Sequence, residues 1–257
     1  MMSQKLPWSS VWITGAGKGI GKSLAELLAR HGLTVYASSR TSDDLERLKQ
    51  ECEHYSGRII PIPLDTTDRL SIGDFCKRWD IEGVPDLVIL NAGTHDPFTA
   101  QEFCAERCHS LLQTNLQGTI NCIDPVLKRF IHRGTGQIAI MASVAGYRGL
   151  PTSAVYGASK AALIHLCEAL RLDLDRTDIK LQVINPGFVR TPLTDKNSFE
   201  MPALVEPNDA AERILRGLLS DRFEITFPKR LAYVLNMLRI LPYSWYFKII
   251  SHSVKVD

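Results

Sequence analysis

The sequence lacks any uninterrupted apolar run of about eighteen residues, so no segment reads as a membrane span. Met1 to Ser10 lacks the apolar stretch of a signal peptide. Neither charge sign dominates: 30 Lys and Arg against 28 Asp and Glu leave a formal net charge of +2, too little to point to nucleic acid. Six cysteines (Cys52, Cys76, Cys104, Cys108, Cys122, Cys167) form no Cys-x-x-Cys pair. In a chain of 257 residues, long enough to bury a full core, they read as reduced thiols in a cytoplasmic setting. Cys104, Cys108 and His109 share a helical stretch, but no second ligand pair accompanies them, so no metal site is expected. Repeats, low-complexity segments and linkers are also missing, which favours one large domain.

What is present is an alternation of short β-rich runs with helix-period segments. The expected strands are Val11–Thr14, Thr34–Ser38, Ile59–Leu64, Leu87–Leu90, Gln137–Met141, Leu181–Ile184 and Glu224–Phe227. Between the first three lie amphipathic stretches at Ile20–His31, with Leu24, Leu27 and Leu28 on one face, and at Asp43–His54, where Thr41 and Ser42 are candidate N-caps. Such alternation implies a parallel sheet covered by helices on both faces.

The first strand runs into Thr14-Gly15-Ala16-Gly17-Lys18-Gly19-Ile20-Gly21, and a helix pattern follows. Glycines allow a tight turn and close backbone approach, and the free N–H groups of a helix start attract a pyrophosphate. A dinucleotide site is therefore expected there. The spacing is Gly-x-x-x-Gly-x-Gly, which differs from the general Gly-x-Gly-x-x-Gly fingerprint.

Further along, Tyr156 and Lys160 stand at i and i+4 in a helical stretch, so both project from one face. A phenol loses its proton near pH 10, and an adjacent ammonium favours the phenolate, so the pair reads as an acid/base. Each residue around it also has a bland role open to it: a helix cap for Ser143, a core hydrogen bond for Asn115, a packing role for Tyr156.

These motifs together resemble the classical short-chain dehydrogenase/reductase family, over roughly residues 10–220. Thr14-Gly15-x-x-x-Gly19-Ile20-Gly21 is similar to its cofactor turn, and Asn91-Ala92-Gly93 to its sheet-stabilising motif. Asn115, Ser143, Tyr156 and Lys160 match its catalytic tetrad in order, and Pro186-Gly187, with Val189 and Thr191, its nicotinamide-contacting segment. The resemblance implies a Rossmann-type doubly wound α/β fold of seven parallel strands ordered 3-2-1-4-5-6-7. Residues 1–228 would form the dinucleotide-binding and catalytic domain, and 229–257 an amphipathic helical extension of it. It further implies Tyr156 as proton donor or acceptor, Lys160 as the group that lowers its pKa and bonds the nicotinamide ribose, and Ser143 as a donor to the substrate oxygen. Asn115 would anchor a water relay. Homodimers or homotetramers through Gln101–His132 and Tyr156–Arg176 are expected on the same ground.

The end of the second strand reads Ser38-Ser39-Arg40, with Ser39 where an acidic residue would bond the ribose of NAD. Arg40 and Lys18 supply cations for a 2′-phosphate, so NADP(H) is the expected cofactor; with that cofactor, the resemblance implies carbonyl reduction as the direction. Asp65 resembles the residue that bonds the adenine amino group; a cap before Thr66-Thr67-Asp68 is the alternative.

For the substrate, Phe188, Leu193, Phe199, Met201 and Leu204 form an apolar lid, and Tyr147, Leu150 and the Thr94–Phe98 loop the other walls. A hydrophobic aldehyde, ketone or secondary alcohol fits them. The tail sets Leu231, Val234, Leu235, Leu238 and Leu241 on a helical stripe, followed by Trp245, Tyr246, Phe247, Ile249 and Ile250, with Lys229, Arg230, Arg239 and Lys248 between. It either packs on its own domain or a partner subunit, or lies in a membrane interface, where a lipid-derived alcohol would be the substrate. The rival from another class is a catalytically silent NADP(H)-binding regulatory protein. A nucleotide-sugar epimerase is disfavoured by length and glycine spacing.

Overall fold

The computed structural model describes residues 5–196 and 201–253. Its strands are β1 (Ser10–Thr14), β2 (Thr34–Ser39), β3 (Arg58–Pro63), β4 (Leu87–Leu90), β5 (Thr135–Met141), β6 (Asp178–Pro186) and β7 (Glu224–Phe227). They form one seven-stranded sheet in the order β3-β2-β1-β4-β5-β6-β7, every pairing parallel. The helices are α1 (Gly19–Arg30), α2 (Ser42–Glu51), α3 (Arg69–Lys77), α4 (Trp79–Glu82), α5 (Ala105–Leu112), α6 (Gly118–Arg133), α7 (Ala154–Asp173), α8 (Pro207–Leu218), α9 (Lys229–Arg239) and α10 (Tyr243–Ser253).

The strands fall where the β-rich runs were read. The largest departure is β6, expected as Leu181–Ile184. It runs further because Asp178 and Lys180, too polar to count by periodicity, still pair with Thr135 and Gln137 of β5. Thr41 does occupy the N-cap of α2, but its side chain makes no capping bond. Asp43 and Asp44 in the first turn complement the helix dipole instead.

Alternate residues of the strands feed two cores. Val11 and Ile13 of β1 pack with Leu24 and Leu28 of α1 and with Ala210 and Ile214 of α8. Trp12, between them, faces the other side with Phe75, Phe130, Leu163 and Cys167. There its ring meets Phe75 and Trp79 at centroid distances of 5.2 and 5.4 Å, and its N–H donates to Ser38 Oγ at 2.8 Å. Each such aromatic pair adds about 0.5–1.5 kcal/mol beyond area burial. All six cysteines are free thiols.

Since all strands are parallel, their C-terminal ends share one edge, where the segments after β1, β2, β4, β5 and β6 converge. The tail closes over that edge's far end. Leu231 and Leu235 pack against the second core, and Ala232 and Tyr246 are buried. Val234, expected on the packing stripe, is exposed, because the helix turns Ala232 inward in its place. Arg148 fastens the tail: its Nη1 donates to the carbonyls of Leu238, Arg239 (3.0 Å) and Leu241 (2.8 Å) at the end of α9. The same guanidinium lies 4.0 Å from the Tyr246 ring centroid, and the Tyr246 hydroxyl donates to the Gly149 carbonyl. No helix among the described residues is long and apolar enough to cross a membrane.

Candidate active site

Sheet and helices bring four chain segments around Gly15. With φ +68°, this residue sits in the left-handed region, and a Cβ there would lie 2.9 Å from the Ala92 Cα. The β1 turn and the β4 end are thus pressed together. Asn91 locks them: its Nδ2 donates to the carbonyls of Thr14 (3.0 Å) and Gly15 (3.1 Å). Thr14 Oγ1 in turn accepts the backbone N–H groups of Asn91 and Ala92 at 3.0 and 3.1 Å. At Gly21 a Cβ would meet the Gly15 carbonyl oxygen at 2.2 Å, so α1 starts directly behind the turn with its N–H groups facing the edge of the sheet.

Two cavities open on this edge. The larger, about 530 Å³, is bordered at one end by Gly15, Lys18, Gly19, Ile20 and Arg40. Asn91, Ala92 and Gly93 form its middle, and Ser143, Tyr156, Lys160, Pro186, Gly187, Val189 and Thr191 its other end. The smaller, about 240 Å³, adds Gly17, Ser39 and Asp65 beside Lys18 and Arg40. The site residues read from the sequence therefore surround a continuous elongated groove, apart from Gly21, Asn115, Tyr147 and Phe188. A cradle of bare backbone at a helix start, with cations at one end and hydroxyls at the other, fits a dinucleotide.

At the cation end, Lys18 Nζ lies 3.2 Å from Asp44 Oδ2, whereas Arg40 is exposed and makes no ion pair among the described residues. Ser39 Oγ donates to the Thr41 carbonyl at 3.1 Å. Asp65 Oδ1 accepts from Thr67 N (2.9 Å) and Oγ1 (2.8 Å), a turn of its own, while Asp68 caps α3.

At the hydroxyl end, Lys160 is 3 % exposed and donates to the Met141 carbonyl at 2.8 Å. Its Nζ lies 5.7 Å from the Tyr156 ring centroid. Burial pushes the ammonium from 10.5 down to about 8. Burial also raises the Tyr156 phenol, and the neighbouring Ser143 hydroxyl opposes that rise. Ser143 Oγ accepts the Ala145 N–H at 3.1 Å and lies 3.4 Å from the Pro186 carbonyl. It thus caps the short turn Val144–Gly146 as well as facing the cavity.

Asn115 lies behind this end, fully buried in a one-turn π-helix, Gln113–Gln117, of the kind often found at functional sites. Its Oδ1 accepts Thr94 N at 2.7 Å, and its Nδ2 donates to the Thr94 carbonyl (2.9 Å) and Ser159 Oγ (3.2 Å). A Cβ on Gly93 would lie 3.3 Å from Asn115 Oδ1 and 3.5 Å from Lys160 Nζ, so both side chains converge on one backbone. Ser143 and Asn115 each do the local structural work that the sequence left open as an alternative, in places that also adjoin the cavity.

Of the expected substrate walls, Leu193 and Thr94 line the cavity, and Phe199 lies outside the described residues. Tyr147 is buried in the second core, its hydroxyl donating to Glu224, and burial pushes its phenol up. Phe188 pairs by its carbonyl with Val205 N at 2.9 Å. Two residues of the expected loop and lid make contacts that the sequence did not announce. The His95 ring packs edge-on against Tyr156 at a centroid distance of 4.5 Å and is 6 % exposed. Lys196, at the cavity rim, donates to the His95 carbonyl at 2.8 Å. His95 belongs to the Thr94–Phe98 loop expected as a wall, but its packing on Tyr156 is not readable from that placement.

The model of the short chain dehydrogenase family matches residues 9–201. With the parallel sheet and the glycine turn, this places the chain in the short chain dehydrogenase family, as an oxidoreductase. It is 35% identical over 239 residues to an uncharacterized oxidoreductase of Myxococcus xanthus, covering 93% of this chain and 94% of that one. It is 29% identical to the ketoacyl reductase HetN of a Nostoc species, over 86% of this chain and 78% of that one. Among solved structures, a short-chain dehydrogenase of Sphingobium yanoikuyae in complex with NADPH superposes with a TM-score of 0.81 at 23% identity, over 96% of each chain. A 3-oxoacyl-[acyl-carrier protein] reductase of Brucella melitensis with bound NAD gives 0.73 at 25% identity, over 85% of this chain and 88% of that one.

The buried ammonium has a measurable cost. Because Lys160 loses its proton at lower pH in the folded chain than in the unfolded one, the unfolded state binds more protons between pH 8 and 10.5, and stability rises across that window. Below it the penalty is constant. In melts without nucleotide, Lys160→Met is expected to be more stable than the parent at pH 7 by about 1–3 kcal/mol, net of the lost bond to Met141, and to lose that advantage toward pH 10.

Proposed function

We propose that the chain is an NADP(H)-dependent oxidoreductase that reduces the carbonyl of a hydrophobic ketone or aldehyde. One observation carries this reading: the groove runs from Lys18 and Arg40 to a buried Lys160 beneath Tyr156. That is a phosphate-binding end and a proton-transfer end on one wall.

A nicotinamide held between Gly93 and Pro186-Gly187 would provide hydride chemistry at the carbonyl carbon. Tyr156 gives its phenolic proton to the carbonyl oxygen, and the ammonium of Lys160 stabilises the phenolate left behind. Ser143 Oγ, positioned by the Ala145 N–H, donates to the oxygen as negative charge develops. The phenolate regains a proton from solvent along the Lys160–Asn115 side of Gly93. His95, packed on Tyr156, fixes the ring plane. Leu193, on the cavity wall, helps keep water from the reacting carbon.

For the cofactor, Arg40 is the principal partner of the 2′-phosphate, since Asp44 already neutralises part of Lys18. Ser39 leaves no carboxylate to repel it. Similar structures hold NADPH in one case and NAD in another, so the NADP(H) reading rests on these residues. Carbonyl reduction is also what the name ketoacyl reductase describes in the Nostoc relative.

Tyr156→Phe is expected to lower turnover of NADPH with a carbonyl panel by about 10²- to 10⁴-fold while leaving the NADPH dissociation constant within about twofold. Retained turnover would remove the mechanism. No NADPH oxidation by the parent chain on any carbonyl tried and no NADP⁺ reduction on any alcohol tried, with tight NADPH binding, would leave the silent binding protein.

Arg40→Asp is expected to raise the KM for NADPH by about tenfold or more and to shift preference toward NADH, with Lys18→Ala having the smaller effect. Unchanged preference in steady-state kinetics with both cofactors would defeat the assignment.

A further inference from the structure

The tail packs on the domain with one side only. On α9, Tyr233, Val234 and Met237 are exposed at i, i+1 and i+4, and Ile240 follows in the turn at 82 % exposure. On α10, Tyr243, Trp245, Phe247 and Ile249 are exposed on both flanks of the buried Tyr246. A helix apolar around most of its circumference is one that is covered in its working state.

The charge around this surface says by what. From Lys229 to Ser253 the chain carries Lys229, Arg230, Arg239 and Lys248 and no Asp or Glu. If the patch met itself across a two-fold axis, these cations would face their own copies with no carboxylate between them, which opposes a dimer through this face. An anionic surface complements them. Tyr and Trp beside Lys and Arg on short amphipathic helices are the composition of a segment lying in the plane of a bilayer interface. At 11 residues each, α9 and α10 are too short to cross.

We propose that α9 and α10 form a docking face for an anionic phospholipid bilayer. The Arg148 clasp on the α9 carbonyls holds the two helices as a preformed platform, so binding orders no new segment. The platform is continuous with the active-site wall: Leu231 lies against Gly187, which borders the cavity. Docking would hold the cavity close to the lipid surface.

Tryptophan gives a local readout. Of Trp8, Trp12, Trp79 and Trp245, only the last is exposed, at 66 %. Mixing the full-length chain with vesicles of phosphatidylcholine and phosphatidylglycerol is expected to shift its emission to shorter wavelength and to co-sediment it. Trp245→Phe should remove the spectral shift but keep most of the sedimentation. Met237→Glu with Phe247→Glu, both at exposed positions, should weaken partitioning by about tenfold or more with an unchanged far-ultraviolet circular dichroism spectrum. Lys248→Gln should weaken it about fivefold on the anionic vesicles and little on phosphatidylcholine alone. No co-sedimentation of the parent chain, or undiminished binding by the double variant, overturns the proposal. So does self-association, abolished by Phe247→Glu, in a chain that ignores vesicles: the occupant is then a second copy. The assay uses neither substrate nor nucleotide, so it stands or falls apart from the proposed reaction.

Discussion

A lysine ammonium held out of water against the Met141 carbonyl, with the phenol of Tyr156 above it, constrains most of what surrounds it. Burying that charge is unfavourable, and the shift of Lys160 to about 8 measures how much. The fold accepts it because β5, α7 and the backbone at Gly93 are each fixed by other interactions. Parallel pairing sets β5 between β4 and β6, and Asn115 braces the segment after β4 through Thr94. Strain of this kind at a site, offset by well-satisfied neighbours, is what a pre-organised acid/base requires. A group already desolvated needs little rearrangement when ligand enters.

The same logic explains the other end of the groove. There the cations stay near solvent. Lys18 is tethered by Asp44, which fixes where its charge sits, and Arg40 reaches outward. One end of the groove works by excluding water and the other by projecting charge into it.

Much of this was legible in the chain. The glycine turn, the Asn91-Ala92-Gly93 run and the Tyr156/Lys160 pair are local signals, because turn geometry and helix spacing place them without reference to distant residues. The strands were readable because fully buried β-runs are short and apolar; β6 was underestimated where polar residues pair with β5 and where Asn185 and Pro186 pair with β7. What stayed hidden depends on closure of the chain on itself. His95 meets Tyr156 across 61 positions, and Arg148 reaches the carbonyls of α9 some 90 positions away. Tyr147 shows the converse. Its position after Ser143 pointed toward substrate, yet Glu224 on β7 holds its hydroxyl in the core, a pairing no local pattern announces. In the tail, the periodicity identified the helix but misassigned Val234, since the packing stripe keeps Leu231 and Leu235 and is shifted toward Ala232 and away from Val234.

The account turns on the buried ammonium of Lys160, and nuclear magnetic resonance titration of lysine side chains labelled with ¹³C at Cε and ¹⁵N reads it directly. One resonance is predicted to titrate near pH 8 in the nucleotide-free chain, well below the rest, to vanish in Lys160→Met, and to move upward on addition of NADP⁺ if ribose oxygens accept from the ammonium. If every lysine titrates above pH 10 with and without nucleotide, Lys160 is not held as described and the proposed proton transfer loses its basis.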